Sequence, residues 1–166
     1  LFKKMIQNIK KYSIISIDLE TTSINPNIAE IVGMSIAVQT HHAYYIPFQS
    51  PGELFSIDSS NIFEKLNPIF NSSKYKFVGQ NIKYDLLILK RYGIEIKNIY
   101  FDTYIAESLI SSERLSYKLD TLSLAYLGYK MQPIEELIGD KKQEQISMSK
   151  VPLDKICFYA CEDADI

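Results

Sequence analysis

The chain has 166 residues, of which 46% are hydrophobic and 23% charged; this is typical of a globular domain and excludes general intrinsic disorder. A net charge of −2 predicts no bulk attraction to nucleic acid or to a membrane surface. The longest apolar run is about six residues, far below the ~20 that a spanning helix needs. Only two cysteines are present, which favours a reducing cytoplasm. We therefore expect a cytoplasmic, monomeric protein without a membrane part.

The first half of the chain predicts one helix, three strands and a second helix. Apolar residues at helical spacing predict an amphipathic helix at 2–9. Alternating, β-branched segments predict strands at 13–20, 31–38 and 43–48. Because the connections between these strands are short, we expect an antiparallel meander. A helix capped by a serine is predicted at 59–70.

From Lys76 onward, short strands alternate with helices. Strands are predicted at 77–79 and 100–103, and helices at 84–92, 105–110, 119–126, 135–138 and from Pro152 to the end of the chain. A meander followed by strand–helix alternation predicts an α/β fold. Its single mixed sheet has three antiparallel strands, then parallel strands, and is flanked by helices. The chain begins with Leu1 instead of Met, so we expect one domain, 1–166, cut from a longer protein.

Two acidic residues stand on the first predicted strand. Asp18 and Glu20 are two positions apart, so both side chains leave the same face. A solvated polar face would explain them, yet both residue types are depleted in strands. Two carboxylates this close repel each other unless a cation lies between them, which is what a hard-metal site requires.

Two further polar segments carry candidate site residues. In the final helix, Tyr159 and Asp163 are four apart and share a face, which we expect to point outward while Cys157 and Cys161 pack inward. In the segment before the third helix, Asp85 lies in the first turn, where a carboxylate also suits the helix dipole. Asn81 is a candidate cap of that helix.

Taken together, the three segments resemble the three motifs of the DEDD 3′–5′ exonuclease superfamily, in its tyrosine-containing branch. They read Asp18-x-Glu20, Asn81-x-Lys83-Tyr84-Asp85 and Tyr159-x-x-x-Asp163. The longer strings are similar to the proofreading domain of bacterial DNA polymerase I, from about Tyr12 to Asp165. These strings are Asp18-Leu19-Glu20-Thr21-Thr22, Gly79-Gln80-Asn81-Ile82-Lys83-Tyr84-Asp85, Phe101-Asp102-Thr103 and Tyr159-Ala160-Cys161-Glu162-Asp163-Ala164-Asp165.

The resemblance implies an RNase H-like fold and a two-metal exonuclease. It assigns two divalent cations, Mg²⁺ with Mn²⁺ as a substitute, to four carboxylates: Asp18, Glu20, Asp85 and Asp163. It also implies that Tyr159 and Glu20 orient the attacking water. The implied reaction releases nucleoside 5′-monophosphates from single-stranded or mispaired 3′ ends of DNA. The implied partner is a polymerase domain of the same parent chain.

The resemblance also places residues against the substrate: Thr21, Ile24, Gln80, Asn81 and Tyr84. Ile24 would be an apolar wedge against the last base, and Tyr84 would line the same pocket. Gln80 and Asn81 would contact the terminal nucleotide or its phosphate. The sequence departs from the family at Ile134, where an aromatic residue is common. It also departs before Asp120, where Ser116 and Tyr117 occupy a stretch that carries an arginine in the family.

Two other functions remain open at the level of sequence. A catalytically silent module that supports an adjacent polymerase domain would be expected to lack one or more of the four carboxylates, and none is missing. An exoribonuclease of the RNase D kind would carry the same three motifs. The residue sequence of the segment 79–85 favours the polymerase family.

Overall fold

A five-stranded mixed sheet forms the centre of the fold in the computed structural model, which describes residues 2–48, 59–142 and 144–166. The strands are β1 (Ile14–Thr21), β2 (Ile31–Gln39), β3 (His42–Pro47), β4 (Lys76–Gly79) and β5 (Ile99–Asp102). They lie in the order β3-β2-β1-β4-β5. The pairs β1–β2 and β2–β3 are antiparallel, whereas β1–β4 and β4–β5 are parallel. The predicted mixed sheet is confirmed.

Seven helices flank the sheet in the described part of the chain. They are α1 (Phe2–Ile9), α2 (Ser59–Phe70), α3 (Lys83–Arg91), α4 (Thr103–Ile110), α5 (Leu119–Leu127), α6 (Glu135–Ile138) and α7 (Leu153–Asp165). A 3-10 turn at Met148–Lys150 precedes the last of them. Among the described residues, no helix combines the length and apolar character that crossing a bilayer requires.

The two faces of β1 have opposite chemistry and are covered by different helices. Ile15, Ile17 and Leu19 are buried in the larger hydrophobic core, which also contains the apolar sides of α1, α2 and α3. The other face, which carries Asp18 and Glu20, lies on the side where α7 packs across β1, β2 and β3. The alternation of strand side chains therefore puts both acids under a helix instead of in open solvent.

A smaller apolar cluster holds α7 and the preceding loop against the sheet. Its buried members are Val32, Leu137, Met148, Val151 and Ile156. Val32 comes from β2, which is buried from Ile31 to Ala37, so the helix rests on the most buried strand. This packing fixes the position of α7, and with it the residues that α7 brings over β1.

Candidate functional site

Three carboxylates from the two ends of the chain meet beneath α7. Asp18, Glu20 and Asp163 each offer one oxygen atom, and these atoms all lie within 4.8 Å of one another. Glu20 is buried, and the other two side chains are half-buried. The structure thus brings together two residues of β1 and one of α7, which are more than 140 positions apart along the chain. The sequence segments Asp18-x-Glu20 and Tyr159-x-x-x-Asp163 belong to one site.

Burial and mutual repulsion raise the pKa values of these acids. Burial raises the pKa of Asp18 to about 6, and burial together with the charge of Asp18 raises that of Asp163 to about 8. The pKa of Glu20 is raised by burial first and then by the charges of Asp18, Asp163 and Asp85. Protonation or a bound cation removes this repulsion. The arrangement is therefore unfavourable for bare carboxylates and favourable for carboxylates around a positive charge.

These raised pKa values fix the direction of the pH dependence of stability. The ordinary value for aspartate is 3.8, whereas folding raises Asp18 to about 6 and Asp163 to about 8. Between about pH 4 and pH 8, the folded protein without cations thus holds more protons than the unfolded chain. Because the state that binds more protons is favoured at low pH, the free energy of unfolding falls as pH rises through this range.

The chemistry of the donor set fits hard divalent cations. Oxygen atoms of Glu20 (Oε1) and Asp85 (Oδ1) are buried and have no hydrogen-bond partner. A buried acceptor without a donor is costly and rare. A site composed of carboxylate oxygens, two of them unpartnered, is the ligand set that Mg²⁺ and Mn²⁺ favour. The residues present therefore fit such ions.

Asp85 is a fourth carboxylate that interacts with Asp18. It lies in the first turn of α3 and is buried, with only 2% of its surface exposed. Burial raises its pKa, and the charge of Asp18 raises it further, while interaction with the backbone of Leu19 lowers it. Asp85 thus faces Asp18 without belonging to the tight group of three.

The start of α3 is held by Asp102, which lies in the family-like string Phe101-Asp102-Thr103 and has no role assigned by the resemblance. The carboxylate of Asp102 accepts hydrogen bonds from the backbone N–H groups of Asn81 and Ile82, both at 3.0 Å. It also caps α4 by accepting from the N–H groups of Tyr104 and Ile105. An aspartate just before a helix is a recognisable capping signal. The hydrogen bonds of Asp102 to the backbone at Asn81 and Ile82 cannot be predicted from the local sequence around Asp102.

Asn81 does not cap α3, contrary to the expectation from sequence. The N-cap residue is Ile82, which makes no side-chain cap. Asn81 has a φ of 52°, in the left-handed region that Asn tolerates better than most residues, and it is exposed. Asp102, the last residue of the neighbouring strand β5, instead accepts hydrogen bonds from the backbone at the start of α3. The side chain of Asn81 is therefore exposed just before the first turn of α3.

Tyr159 lies within the site, not on an outward face. It is half-buried, packs against the cluster that contains Val32, and interacts with Asp163 by hydrogen bonding. Burial and the nearby carboxylates raise its pKa, so the phenol stays neutral at physiological pH. The expectation that Tyr159 and Asp163 point outward was wrong. Because α7 crosses the polar face of β1, its polar side also faces inward. Cys157 and Cys161 are only half-buried.

A pair of hydroxyl groups anchors the loop that follows β1. Thr21 Oγ1 and Tyr84 Oη are hydrogen-bonded to each other at 2.7 Å, and both hydroxyl oxygens lie within hydrogen-bonding distance of the carbonyl oxygen of Ser23. The next residue, Ile24, is 96% exposed. Ile24 therefore presents an apolar side chain to solvent next to this anchored position. Thr21 and Tyr84 are thus engaged in holding this loop.

Gln80 is engaged at both ends of its amide. Its Nε2 donates to the carbonyl oxygen of Tyr117 at 2.7 Å, and its Oε1 accepts from the hydroxyl of Thr103. These bonds tie the end of β4 to the segment before α5, so Gln80 acts on the shape of the site. Ile134 is half-buried and packs into the cluster under α7. Part of its side chain is therefore taken up by packing.

Comparison with known proteins finds relatives that match nearly the whole of this chain. A family model described as 3′–5′ exonuclease matches residues 1–166. DNA polymerase I of Borreliella burgdorferi is 36% identical over 98% of this chain, and that of Pseudomonas aeruginosa is 29% identical over 99%. The chain spans only 17% and 18% of the lengths of these two relatives.

Solved structures show the same fold at low sequence identity. Escherichia coli RNase D aligns with a TM-score of 0.70 at 17% identity, over 99% of this chain and 39% of that protein. Brucella melitensis NrnC aligns with a TM-score of 0.70 at 17% identity, over 95% of this chain and 69% of that protein. Another structure of NrnC contains bound Mg²⁺. These neighbours confirm the RNase H-like fold. With the family match over the whole chain, they lead to one conclusion: the chain belongs to the 3′–5′ exonuclease family of DNA polymerase I.

Proposed function

We propose that this chain is the proofreading exonuclease domain of a longer DNA polymerase. It removes nucleoside 5′-monophosphates from single-stranded or mispaired 3′ ends of DNA and uses two divalent cations. The observation that carries the proposal is the group of three carboxylate oxygens within 4.8 Å, with Asp85 beside it. Repelling acids are retained in this arrangement because cations offset their charge when substrate phosphate is bound.

Asp18, Glu20, Asp85 and Asp163 would hold the two ions, with Mg²⁺ as the physiological choice and Mn²⁺ as a substitute. Such a pair supplies positive charge that stabilises the attacking and leaving oxygens of the phosphodiester. An oxygen of water bonds to the terminal phosphorus, and the bond from phosphorus to the 3′ oxygen breaks. The water proton is lost, and the 3′ oxygen of the shortened strand gains one. The cations also explain how a chain of net charge −2 receives DNA.

Tyr159 and Glu20 orient the attacking water in this proposal. The phenol of Tyr159 has a raised pKa and remains a neutral hydrogen-bonding group, so it positions the water and does not remove its proton. Its interaction with Asp163 places the hydroxyl beside the carboxylates. The ring of Tyr159 packs against the α7 cluster, which supports the position of its hydroxyl.

The terminal nucleotide would lie across the entrance formed by Ile24 and Asn81. Ile24 is an exposed apolar contact for the last base, and Asn81 is an exposed amide near the start of α3. Thr21, Tyr84 and Gln80 support this entrance, because their polar groups already brace the loop after β1 and the end of β4. Contacts of this kind bind single strands with little sequence preference.

The test is degradation of a 5′-labelled single-stranded DNA with Mg²⁺, Mn²⁺ or EDTA. We expect a ladder that shortens from the 3′ end, that EDTA abolishes, and that Asp18→Ala abolishes. Asp154→Ala is the matched control, because Asp154 is an exposed carboxylate in the first turn of α7. Full activity in Asp18→Ala would contradict the proposal. Absence of both shortening and Mn²⁺ binding would favour the silent supporting module.

An exoribonuclease activity is the second candidate, because the fold is shared with RNase D. Two substrates that differ only in the 2′ group of the 3′-terminal residue separate the two functions. We expect faster removal of the deoxy terminus, in agreement with the sequence relatives. Equal or faster removal of the ribo terminus would favour the exoribonuclease. In the full protein, we further propose that the polymerase domain delivers the 3′ end to this site.

A further inference from the structure

Tyr45 on β3 carries a buried hydroxyl that the proposed chemistry does not use. Its Oη is shielded from solvent and has no hydrogen-bond partner, and the same is true of Glu20 Oε1. A phenol is a donor and an ionised carboxylate is an acceptor. Two complementary groups, both buried and both unpartnered, thus lie on the polar face of the sheet.

The sheet register brings these two groups close together. Gly33 on β2 is the direct cross-strand partner of Glu20 on β1. A Cβ atom added at Gly33 would lie 2.0 Å from Tyr45 Oη and 2.2 Å from Tyr45 Cζ. The phenol therefore occupies the space of the missing side chain. Cross-strand Cβ atoms are about 5 Å apart, so the hydroxyl lies within reach of the Glu20 carboxylate.

The absence of a side chain at position 33 is what permits this approach. Any other residue there would push the ring of Tyr45 away from Glu20. Glu20 is also the first charged group that raises the pKa of Tyr45, after burial, so the phenol remains a protonated donor. The half-buried ring packs against the cluster under α7, which limits its other positions.

We propose that Tyr45 is a positioning residue that donates a hydrogen bond to Glu20, directly or through one water, and holds the carboxylate in its metal-binding orientation. The inference rests on the proposed function, because the orientation of the Glu20 carboxylate matters only where that carboxylate holds a cation. The geometry that carries it is the pair of unpartnered buried oxygens and the ring of Tyr45 in the space beside Gly33.

The test compares Tyr45→Phe with Tyr44→Phe in the 166-residue chain. Each variant loses one hydroxyl from adjacent positions of β3. The hydroxyl of Tyr44 accepts a bond from Asn8 at 2.9 Å, away from the carboxylates. Mn²⁺ is titrated by calorimetry without nucleic acid. We expect Tyr44→Phe to match the wild type and Tyr45→Phe to raise the Kd about tenfold, which corresponds to about 1.4 kcal/mol.

Thermal unfolding supplies a readout that distinguishes positioning from simple packing. Removal of an unpartnered buried hydroxyl should leave the metal-free Tm of Tyr45→Phe unchanged or higher, while the Tm increase caused by Mn²⁺ becomes smaller. A lower metal-free Tm with an unchanged Kd would overturn the proposal. If the wild type binds Mn²⁺ and Tyr45→Phe binds it equally well, only the role of Tyr45 fails. If the wild type binds none, the metal site and the role of Tyr45 fail together.

Discussion

The carboxylate of Asp102 accepts four backbone hydrogen bonds, and its removal should destabilise the protein strongly. Two of these bonds cap α4, and loss of a side-chain cap costs about 1 kcal/mol. The other two hold the turn before α3, where Ile82 is buried. An unpaired buried amide costs about 2 kcal/mol. Because water can reach the exposed Asn81 instead, we expect Asp102→Ala to lower the free energy of unfolding by about 3 kcal/mol.

Urea unfolding followed by circular dichroism measures this change, and an unchanged m value would show that the variant still unfolds in one step. Asp154→Ala is the matched control. Asp154 also lies in the first turn of a helix but is exposed, so its loss should cost about 0.5 kcal/mol through the helix dipole alone. Asp102→Asn keeps one acceptor oxygen and should fall between the two.

Asp102→Ala should also lower the affinity of the site for Mn²⁺, beyond the effect of lower stability. Asp102 holds the turn that leads directly into α3, whose first turn carries Asp85. Mn²⁺ affinity of the folded variant should therefore fall at a temperature where the protein remains native. If Asp102→Ala were no less stable than Asp154→Ala, the argument from four shared bonds would be refuted.

Two further predictions concern pH and the loop after β1. Without divalent cations, the Tm should fall as pH rises from 5 to 8. Asp163→Asn should make this fall smaller, because Asp163 has a pKa of about 8 in the folded protein. An equal dependence of Tm on pH in the variant would show that Asp163 is not its cause. Tyr84→Phe should remove the bonds to Thr21 and Ser23 and raise the KM for single-stranded DNA about fivefold at nearly constant kcat. Steady-state kinetics with unchanged KM would exclude a bracing role for Tyr84.

The strand that carries the site could be predicted from sequence because its pattern is local. Alternation along β1 placed Asp18 and Glu20 on one face, and this was confirmed. The burial of that face could not be predicted from the strand itself, because α7 lies more than 130 residues further along the chain. A polar strand face looks the same in sequence whether water or a helix covers it. Only the resemblance to a family connected the two segments.

The supporting residues were harder to predict because their contacts are not periodic. Asp102 has a local capping signal, but its bonds to Asn81 and Ile82 depend on how β4 and β5 pair. The contact of Gln80 with the nucleotide stays a prediction, and the bonds of its amide with Thr103 and Tyr117 had no signal in the sequence. Position 33 reads as a glycine in an apolar strand. The structure shows why this position is a glycine: the ring of Tyr45 occupies the space that a side chain would fill.

The two helices contribute their carboxylates in electrostatically opposite ways. Asp85 lies at the N-terminus of α3, where the helix dipole stabilises a negative charge. Asp163 lies in the last turn of α7, where the dipole opposes it, and burial with the charge of Asp18 raises its pKa to about 8. Burial and the charge of Asp18 nevertheless raise the pKa of both carboxylates, so a cation favours the ionised form of each. Because the proton of Asp163 must leave before this residue can act as a ligand, metal affinity should increase with pH up to about 8.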